Sequence, residues 1–284
     1  MSAMTHLRLL VVAIVTSVLA SLLALAAFSS EADAGHSWGK YHWARTTNSF
    51  TLTLADNLTT QDWKTRLATA SSSATQKDWS ESSKLNTRVV SGQKDPATCR
   101  PTSGRVEVCN YRYTNGWLGV AQIWLSGRHI VQGTAKVNDT YFNTARYNTP
   151  AWRQLVMCQE VGHTFGLDHQ DEIHNNPNLG SCMDYTNDPD GGLGGASSTD
   201  PTNEYPNQHD YDQLDKVIYK HLDSRTTVRN ASAASTLPPA ANRGSFNSRA
   251  QWGRLVAESP NGKLELWERS FGGEARMITW VIRA

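Results

Sequence analysis

The sequence predicts an α+β fold, that is, a mixed α/β domain with one twisted sheet and few helices. Five segments alternate apolar and polar residues as β-strands do, at residues 49–55, 84–90, 106–113, 118–125 and 130–138. A helical pattern separates the first two, because Trp63, Leu67 and Ala70 recur at helical spacing. A second helical pattern follows the last strand. This order of elements is typical of layered α+β domains.

The best-defined helix begins near Pro150 and carries the polar residues of most interest. Thr149 can cap it, and Pro150 suits its first turn. Gln159 and His163 lie four residues apart, so they share one face of the helix. Gly166 is expected to end the helix, because glycine reverses the chain at low conformational cost.

A further helix is expected at residues 209–222, with an apolar stripe that faces the core. The stripe consists of Tyr211, Leu214, Ile218 and Leu222. Residues 223–247 are rich in Ser, Ala, Thr, Asn and Pro, which predicts a linker or an irregular segment that lies loosely over the domain. Apolar residues alternate again within residues 248–284. That segment is too short to be stable alone, so we expect a small C-terminal β segment docked on the main domain.

Residues 1–34 have the pattern of a signal peptide. An apolar run at residues 9–28 contains no charge, and the triplet Ala-Asp-Ala at residues 32–34 offers a small-x-small cleavage site. The run is also long enough to span a bilayer, so an uncleaved N-terminal anchor is the alternative. We favour cleavage, which leaves a main domain at residues 35–222 that is secreted and extracellular.

The charge balance excludes nucleic acid as an expected partner. The chain has 27 Lys and Arg residues against 26 Asp and Glu residues, and it has no long basic block. After signal cleavage we expect a monomer without stable membrane insertion. The turn-rich stretch at residues 188–195 is interpreted as a solvated loop, since it lacks a recognised spacing of oxygen ligands. Structural calcium is the alternative for this loop.

The four cysteines form an even set in an exported chain, which predicts two disulfides with three possible pairings. We expect Cys99–Cys109, which closes a local hairpin. We also expect Cys158–Cys182, which ties the predicted helix to the segment around Met183. A metal-ligand role for Cys158 is the weaker alternative, because thiolate sites usually come as paired short spacings.

Residues 159–169 combine the side chains that a water-activating metal site needs. They read Gln159-Glu160-x-x-His163-x-x-Gly166-x-x-His169. Ligands at i and i+4 bind a metal from one rigid helix face, and a glutamate beside the first ligand acts as general base. The third ligand must come from a chain that doubles back, which the glycine permits. A catalytic zinc site needs three protein ligands and one open position.

This stretch resembles the active site of the metzincin zinc endopeptidases, whose motif H-E-x-x-H-x-x-G-x-x-H is followed by a methionine turn. The segment Ser-Cys-Met-Asp-Tyr around Met183 is similar to that turn. The resemblance spans about residues 50–222 and is specific only in these two motifs. It implies a matrixin- or astacin-like catalytic domain: a twisted sheet, a backing helix, an active-site helix, and a mostly irregular lower subdomain with a C-terminal helix.

The resemblance also implies a role for each motif residue and a class of substrate. His163 and His169 would be zinc ligands, and Glu160 would be the general base. Met183 would form the hydrophobic floor under the metal. Tyr185 would reach the metal or the oxyanion. The substrate would be a protein or peptide in extended conformation. An edge strand within residues 133–142 would bind it by β-augmentation.

Gln159 departs from the metzincin pattern, because it stands where the first motif histidine is expected. An amide oxygen is a neutral and weaker donor than imidazole, so metal affinity should fall. Three interpretations stay open. In the first, Gln159 still binds zinc. In the second, the site binds metal weakly or differently, with His174 or His209 as a ligand. In the third, the site is inactive and the fold serves binding. His36 and His42 are interpreted as exposed or as packed against aromatic residues.

We therefore expect a secreted zinc endopeptidase that hydrolyses peptide bonds with metal-activated water and Glu160 as general base. Its zinc ligands would be Gln159, His163 and His169, and Tyr185 would help to hold the tetrahedral intermediate. The alternative is a non-catalytic exported binding module on the same fold, with weak or absent metal binding.

Overall fold

Segments from both halves of the chain build one mixed sheet, and the sheet organises the fold. The computed structural model describes residues 35–71, 78–192, 200–228 and 237–284. Within these residues nine strands belong to the sheet, and the few helices are short or lie against it. The fold is mixed α/β with a large, mostly β sheet, which is the fold class that the sequence predicts at this level.

The five strands predicted from the alternating pattern are all present, within two residues at either end. Strand β1 near the N-terminus and β7 near the C-terminus were not predicted. In chain order the strands are β1 (His42–Trp43), β2 (Phe50–Asn57), β3 (Leu85–Ser91), β4 (Val106–Tyr111), β5 (Trp117–Ser126), β6 (His129–Asn138), β7 (Arg254–Glu258), β8 (Leu264–Gly272) and β9 (Ala275–Arg283).

The sheet changes from parallel to antiparallel pairing at β5. Strands β3, β2, β4 and β6 are parallel neighbours in that order, and β1 adds to β6 in parallel. Strand β5 runs antiparallel between β6 and β9. The expectation of an edge strand within residues 133–142 is therefore wrong. Non-local pairing places that segment inside the sheet, with β4 on one side and β5 on the other.

Strands β9, β8 and β7 continue the sheet beyond β5. Strand β9 pairs with β5 from Trp117 opposite Arg283 to Ser126 opposite Ala275. Strands β8 and β7 follow as antiparallel neighbours. Main-chain hydrogen bonds thus join the C-terminal residues directly to the main sheet.

The described part of the chain has fewer α-helices than strands, and only two of the α-helices are longer than five residues. They are α1 (Gln61–Ser71), α2 (Asp139–Phe142), α3 (Pro150–His163), α4 (Gln208–Asp212) and α5 (Arg249–Trp252). Trp63, Leu67 and Ala70 of α1 are buried, as their spacing predicts.

The prediction of a regular helix over residues 209–222 is wrong beyond α4. A π-helix, Gln213–Ile218, replaces its continuation, and the N–H of Tyr219 donates to the carbonyl of Leu214, five residues back. The predicted apolar stripe therefore does not continue to Leu222. Leu214 and Ile218 are buried, whereas Leu222 is exposed.

Different parts of the chain bury the two faces of the sheet. Ala121 and Ile123 of β5 belong to the core that includes residues of α1 and α3. Val120 and Trp124, which alternate with them, belong to a second core on the opposite face. Leu237, Ala241, Phe246 and Trp252 complete this second core. Residues 237–247, the described end of the predicted linker, therefore pack onto the sheet.

The four cysteines pair as predicted. The Cα atoms of Cys99 and Cys109 are 6.0 Å apart, and those of Cys158 and Cys182 are 5.9 Å apart. Disulfides are typical of an oxidising compartment. The predicted signal peptide at residues 1–34 and part of the loop considered for calcium, residues 193–195, lie outside the described residues. Among the residues that the structure describes, no helix has the length and apolar character needed to cross a bilayer.

Replacing Gly166 by alanine is expected to destabilise the domain more than the same change at Gly272. Both glycines have positive φ, +102° and +98°, so either substitution strains the backbone by roughly 1–3 kcal/mol. At Gly166 a Cβ would also lie 2.2 Å from the carbonyl oxygen of Tyr41, whereas at Gly272 it would meet nothing within 4 Å. Urea unfolding measures the difference, and equal losses of unfolding free energy would contradict this role for Gly166.

Candidate metal centre

Helix α3 presents three polar residues to the protein interior. Thr149 caps the helix, and its hydroxyl accepts a hydrogen bond from the N–H of Trp152 at 3.2 Å. Farther along, Gln159, Glu160 and His163 are each at most 1% exposed. Buried polar side chains in folded proteins normally have partners. This stretch of α3 is therefore the first place to look for a bound ligand.

His163 and His169 form a close pair of imidazoles. Their Nε2 atoms are 3.3 Å apart. His163 donates its Nδ1–H to the carbonyl oxygen of Leu167 at 2.9 Å, which leaves a lone pair on Nε2. Two ligands of a tetrahedral zinc ion, each about 2.05 Å from the metal, are separated by about 3.3 Å. The spacing of the two nitrogens fits a shared ion.

Both imidazoles are neutral near pH 7. Burial and, second, the neighbouring His169 lower the pKa of His163 to about 3. Burial and, second, His36 lower the pKa of His169 to about 3. Neutral imidazole is the form that binds a metal, so no proton has to be removed first.

A fixed turn brings His169 back to α3. Gly166 adopts a φ of +102°, as its predicted role in reversing the chain requires. The indole Nε1–H of Trp43 donates to the carbonyl of Thr164 at 2.9 Å. The hydroxyl of Tyr219 donates to the carbonyl of Phe165 at 2.8 Å. These bonds satisfy the carbonyl groups that the end of the helix leaves free.

Gln159 and Glu160 are buried without hydrogen-bond partners. None of their four side-chain oxygen and nitrogen atoms is paired. Burial raises the pKa of Glu160 well above its ordinary value. Its carboxylate packs against β5, where a Cβ built on Gly119 would lie 2.2 Å from Oε1. Glycine at this position thus leaves the room that Glu160 occupies.

The side chains of Gln159, His163 and His169 offer donor atoms of the kinds that bind zinc. Among the described residues, no further His, Cys, Asp or Glu joins His163 and His169 in a group of three. His174 instead stacks on Tyr185, with ring centroids 4.7 Å apart, and His209 stacks on His36 at 4.7 Å. The unpaired amide of Gln159, one helical turn before His163, is the remaining side chain of the motif that can serve as third ligand.

Met183 packs directly beneath the helix. Its Sδ atom would lie 2.6 Å from a Cβ on Gly162, so glycine at 162 permits the close approach. The hydroxyl of Ser181 accepts the N–H of Met183 at 2.9 Å and donates to Asp210 Oδ2 at 2.7 Å. The Cys158–Cys182 disulfide ties the same two segments together. The disulfide therefore holds the turn against α3, and the Ser181 hydroxyl ties it to Asp210 of α4.

Tyr185 is turned towards the C-terminal segment. Its ring stacks on His174, and Asn261, in the turn between β7 and β8, lies close to it. Burial is the main cause that raises the pKa of Tyr185 above its ordinary value.

Trp280 of β9 covers the imidazole pair. Its indole ring stacks on His163, with centroids 5.0 Å apart and an angle of 7° between the planes. Its Nε1–H donates to Asp168 Oδ1 at 3.2 Å. The cavity left beside His169 and Trp280 has a volume of about 40 Å³, close to the share of one water molecule in the liquid, about 30 Å³. No peptide fits beside the pair in this conformation.

The residues that surround the motif in space are not readable from the sequence. Alternating apolar residues predicted a strand around Trp280, but the strand with which it pairs is not readable from the pattern. Gly119 and Gly162 carry no signal of their own. Their role depends on the side chains that approach them, Glu160 and Met183.

Comparison with known proteins does not add a family to these observations. A scan against protein-family models finds no match, and a search of curated proteins finds none either. The resemblance to metzincins therefore depends on residues 159–169 and on the turn at Met183.

Truncating Trp280 to alanine is expected to expose the imidazole pair. Trp252, an equally buried tryptophan of the C-terminal segment that lies in the second core, is the matched control. Each truncation should cost about 3–5 kcal/mol of stability. Only Trp280→Ala should speed the carbethoxylation of His163 and His169, measured by peptide mass spectrometry on chelator-treated protein. Equal rates in both variants would show that Trp280 does not cover the pair.

Proposed function

We propose that this chain is an extracellular zinc-dependent endopeptidase with a metzincin-like centre. The observation that carries the proposal is the 3.3 Å approach of the Nε2 atoms of His163 and His169. It occurs beside a buried glutamate and a buried glutamine whose polar atoms have no partner. Paired neutral imidazoles next to an unpaired carboxylate are what hydrolysis with a metal and a general base requires.

Each residue of the proposed centre has a separate role. His163, His169 and Gln159 would hold the zinc ion. When bound, zinc supplies Lewis acidity that polarises the peptide carbonyl and lowers the pKa of a water molecule. Glu160 takes the proton at its carboxylate and delivers it to the leaving amine. Burial strengthens Glu160 as a base, because a carboxylate in apolar surroundings binds a proton more tightly.

Gln159 sets the strength of metal binding. Its amide oxygen carries no charge and is a poorer donor than imidazole, so zinc binds less tightly than to three histidines. Its burial partly compensates, because an unpaired amide in the interior gains a partner when zinc binds. The expected result is a working centre with reduced affinity.

The C-terminal strands must move before a peptide can reach the centre. Strand β9 pairs with β5 along the sheet edge that an extended peptide would use for β-augmentation. Trp280 lies on His163 from the same strand. The described conformation therefore corresponds to the closed form of the proposed enzyme, and catalysis requires displacement of β9 and Trp280.

A non-catalytic exported binding module is the second candidate. The observation in its favour is the complete cover over His163, with Trp280 in stacking contact. A module of this kind needs no zinc, and no variant of Glu160 would alter its binding. Metal analysis and peptide hydrolysis together separate the two candidates.

Zinc binding and hydrolysis are expected to separate in two variants. His169→Ala should lower bound zinc by one equivalent, whereas His174→Ala, a nearby histidine outside the pair, should not. Glu160→Gln should keep zinc and lower casein cleavage on the order of a hundredfold or more. Metal analysis and fluorescent casein measure the two effects. If His169→Ala keeps all its zinc, or Glu160→Gln cleaves casein as well as the native chain, the proposed centre is wrong.

Gln159→His is expected to tighten zinc binding by on the order of tenfold, equivalent to about 1.4 kcal/mol, because imidazole is the stronger donor. Gln154→His is the control, since Gln154 lies on the same helix and is equally buried and unpaired. Competition with a zinc chelator measures both variants. An unchanged affinity in Gln159→His would show that residue 159 does not contact the metal.

A further inference from the structure

A second group of histidines converges on one carboxylate far from the motif in sequence. His42 lies in β1, His129 begins β6, and His221 follows the π-helix. All three face Asp223, whose side chain is 8% exposed. A cavity of about 550 Å³ opens beside them. None of these residues belongs to the candidate metal centre.

The distances among His42, His221 and Asp223 suit one shared ion, whereas His129 approaches Asp223 but stays outside the group of three. The Nε2 atoms of His42, His129 and His221 lie 3.3, 3.2 and 3.6 Å from the same atom, Asp223 Oδ1. In a tetrahedral zinc site, ligand atoms about 2.0–2.1 Å from the metal are about 3.3 Å apart. The ligand atoms of His42, His221 and Asp223 also all lie within 4.8 Å of one another.

Hydrogen bonds outside the group orient two of its members. His42 donates its Nδ1–H to the carbonyl of Lys40 at 3.0 Å, which turns its Nε2 towards Asp223 Oδ1, 3.3 Å away. Asp223 Oδ2 accepts the N–H of Arg45 at 2.9 Å, so Oδ1 stays available to the histidines. A lone pair on Nε2 and a carboxylate oxygen repel each other unless a proton or a cation lies between them.

We propose that His42, His221 and Asp223 bind a zinc ion. Two imidazole nitrogens and one carboxylate oxygen are a set that zinc favours. The ion would join β1 to the segment after the π-helix. The inference is independent of the proposed peptidase.

The other three-residue group in the described part of the chain has a different arrangement. His36, His209 and Asp210 are close together, and the two imidazole planes are stacked at an angle of 25°. Asp210 Oδ2 accepts hydrogen bonds from the Ser181 hydroxyl and the Asn207 N–H, both at 2.7 Å. Asp210 Oδ1 lies 3.1 Å from His36 Nε2, so the two side chains form an ion pair when His36 is protonated.

The test compares zinc content across variants of the full chain. Chelator-treated protein is dialysed against zinc chloride, and bound zinc is measured by metal analysis. His221→Asn and Asp223→Asn together should bind one equivalent less than the native chain. Lys220→Gln, which lines the same cavity, should bind as much as the native chain. His221 is 51% exposed, so His221→Asn alone keeps the test valid if the double variant does not fold.

The candidate centre and this site can be told apart in the same experiment. His169→Ala affects the centre on α3 alone, so its loss of zinc should add to that of His221→Asn. Cobalt in place of zinc should give the visible absorption of a tetrahedral ion, and His221→Asn should reduce it. Equal zinc in the native chain and in His221→Asn would overturn the inference. An equal loss in Lys220→Gln would also overturn it, because binding would then depend on cavity charge.

Discussion

The approach of His169 to His163 depends on one backbone reversal, and the candidate centre depends on that approach. Gly166 makes the reversal at a φ of +102°, with the carbonyl of Tyr41 where a side chain would be. The N-terminal segment therefore packs against the turn because residue 166 has no Cβ. Trp43 and Tyr219 then bind the carbonyl groups on either side of the turn. The position of the His169 imidazole thus depends on the absence of a Cβ at residue 166.

The C-terminal strands complete the sheet, and one of them also covers His163. Strand β9 lengthens the sheet beyond β5 and completes the cores on both faces through alternate residues. Lys136, buried in β6, donates to the carbonyl of Ser245 at 2.6 Å and to Asn247 Oδ1 at 2.9 Å, which anchors the chain that leads into β7. Opening the centre would break part of this network. Access is therefore coupled to local unfolding of β9, unless a partner replaces its main-chain hydrogen bonds.

Local periodicity predicted the local elements well and non-local pairing poorly. Five strands and α3 follow from alternation, helical spacing and the cap at Thr149. Strand β7 was missed because its residues Arg254–Glu258 are largely exposed on both faces and do not alternate. The π-helix after α4 has no signature at a 3.6-residue period. His36 and His42, interpreted as exposed or as packed against aromatic residues, are each 4% exposed, so the first alternative is wrong. The second is confirmed, since His36 stacks on His209 and His42 packs edge-on against Tyr219. Both also lie in polar clusters, with Asp210 and Asp223. Such clusters join residues as distant as 42 and 223, which no spacing rule connects.

The buried polar atoms of α3 are the physical basis of the proposed metal centre. Gln159 and Glu160 place four unpaired polar atoms in the interior, and each unsatisfied buried group costs about 1–3 kcal/mol. The Nε2 atoms of His163 and His169 are 3.3 Å apart, a distance at which they can share either a proton or an ion. Under the proposal a bound cation would give Gln159 a partner, and its charge would be balanced by the carboxylate of Glu160.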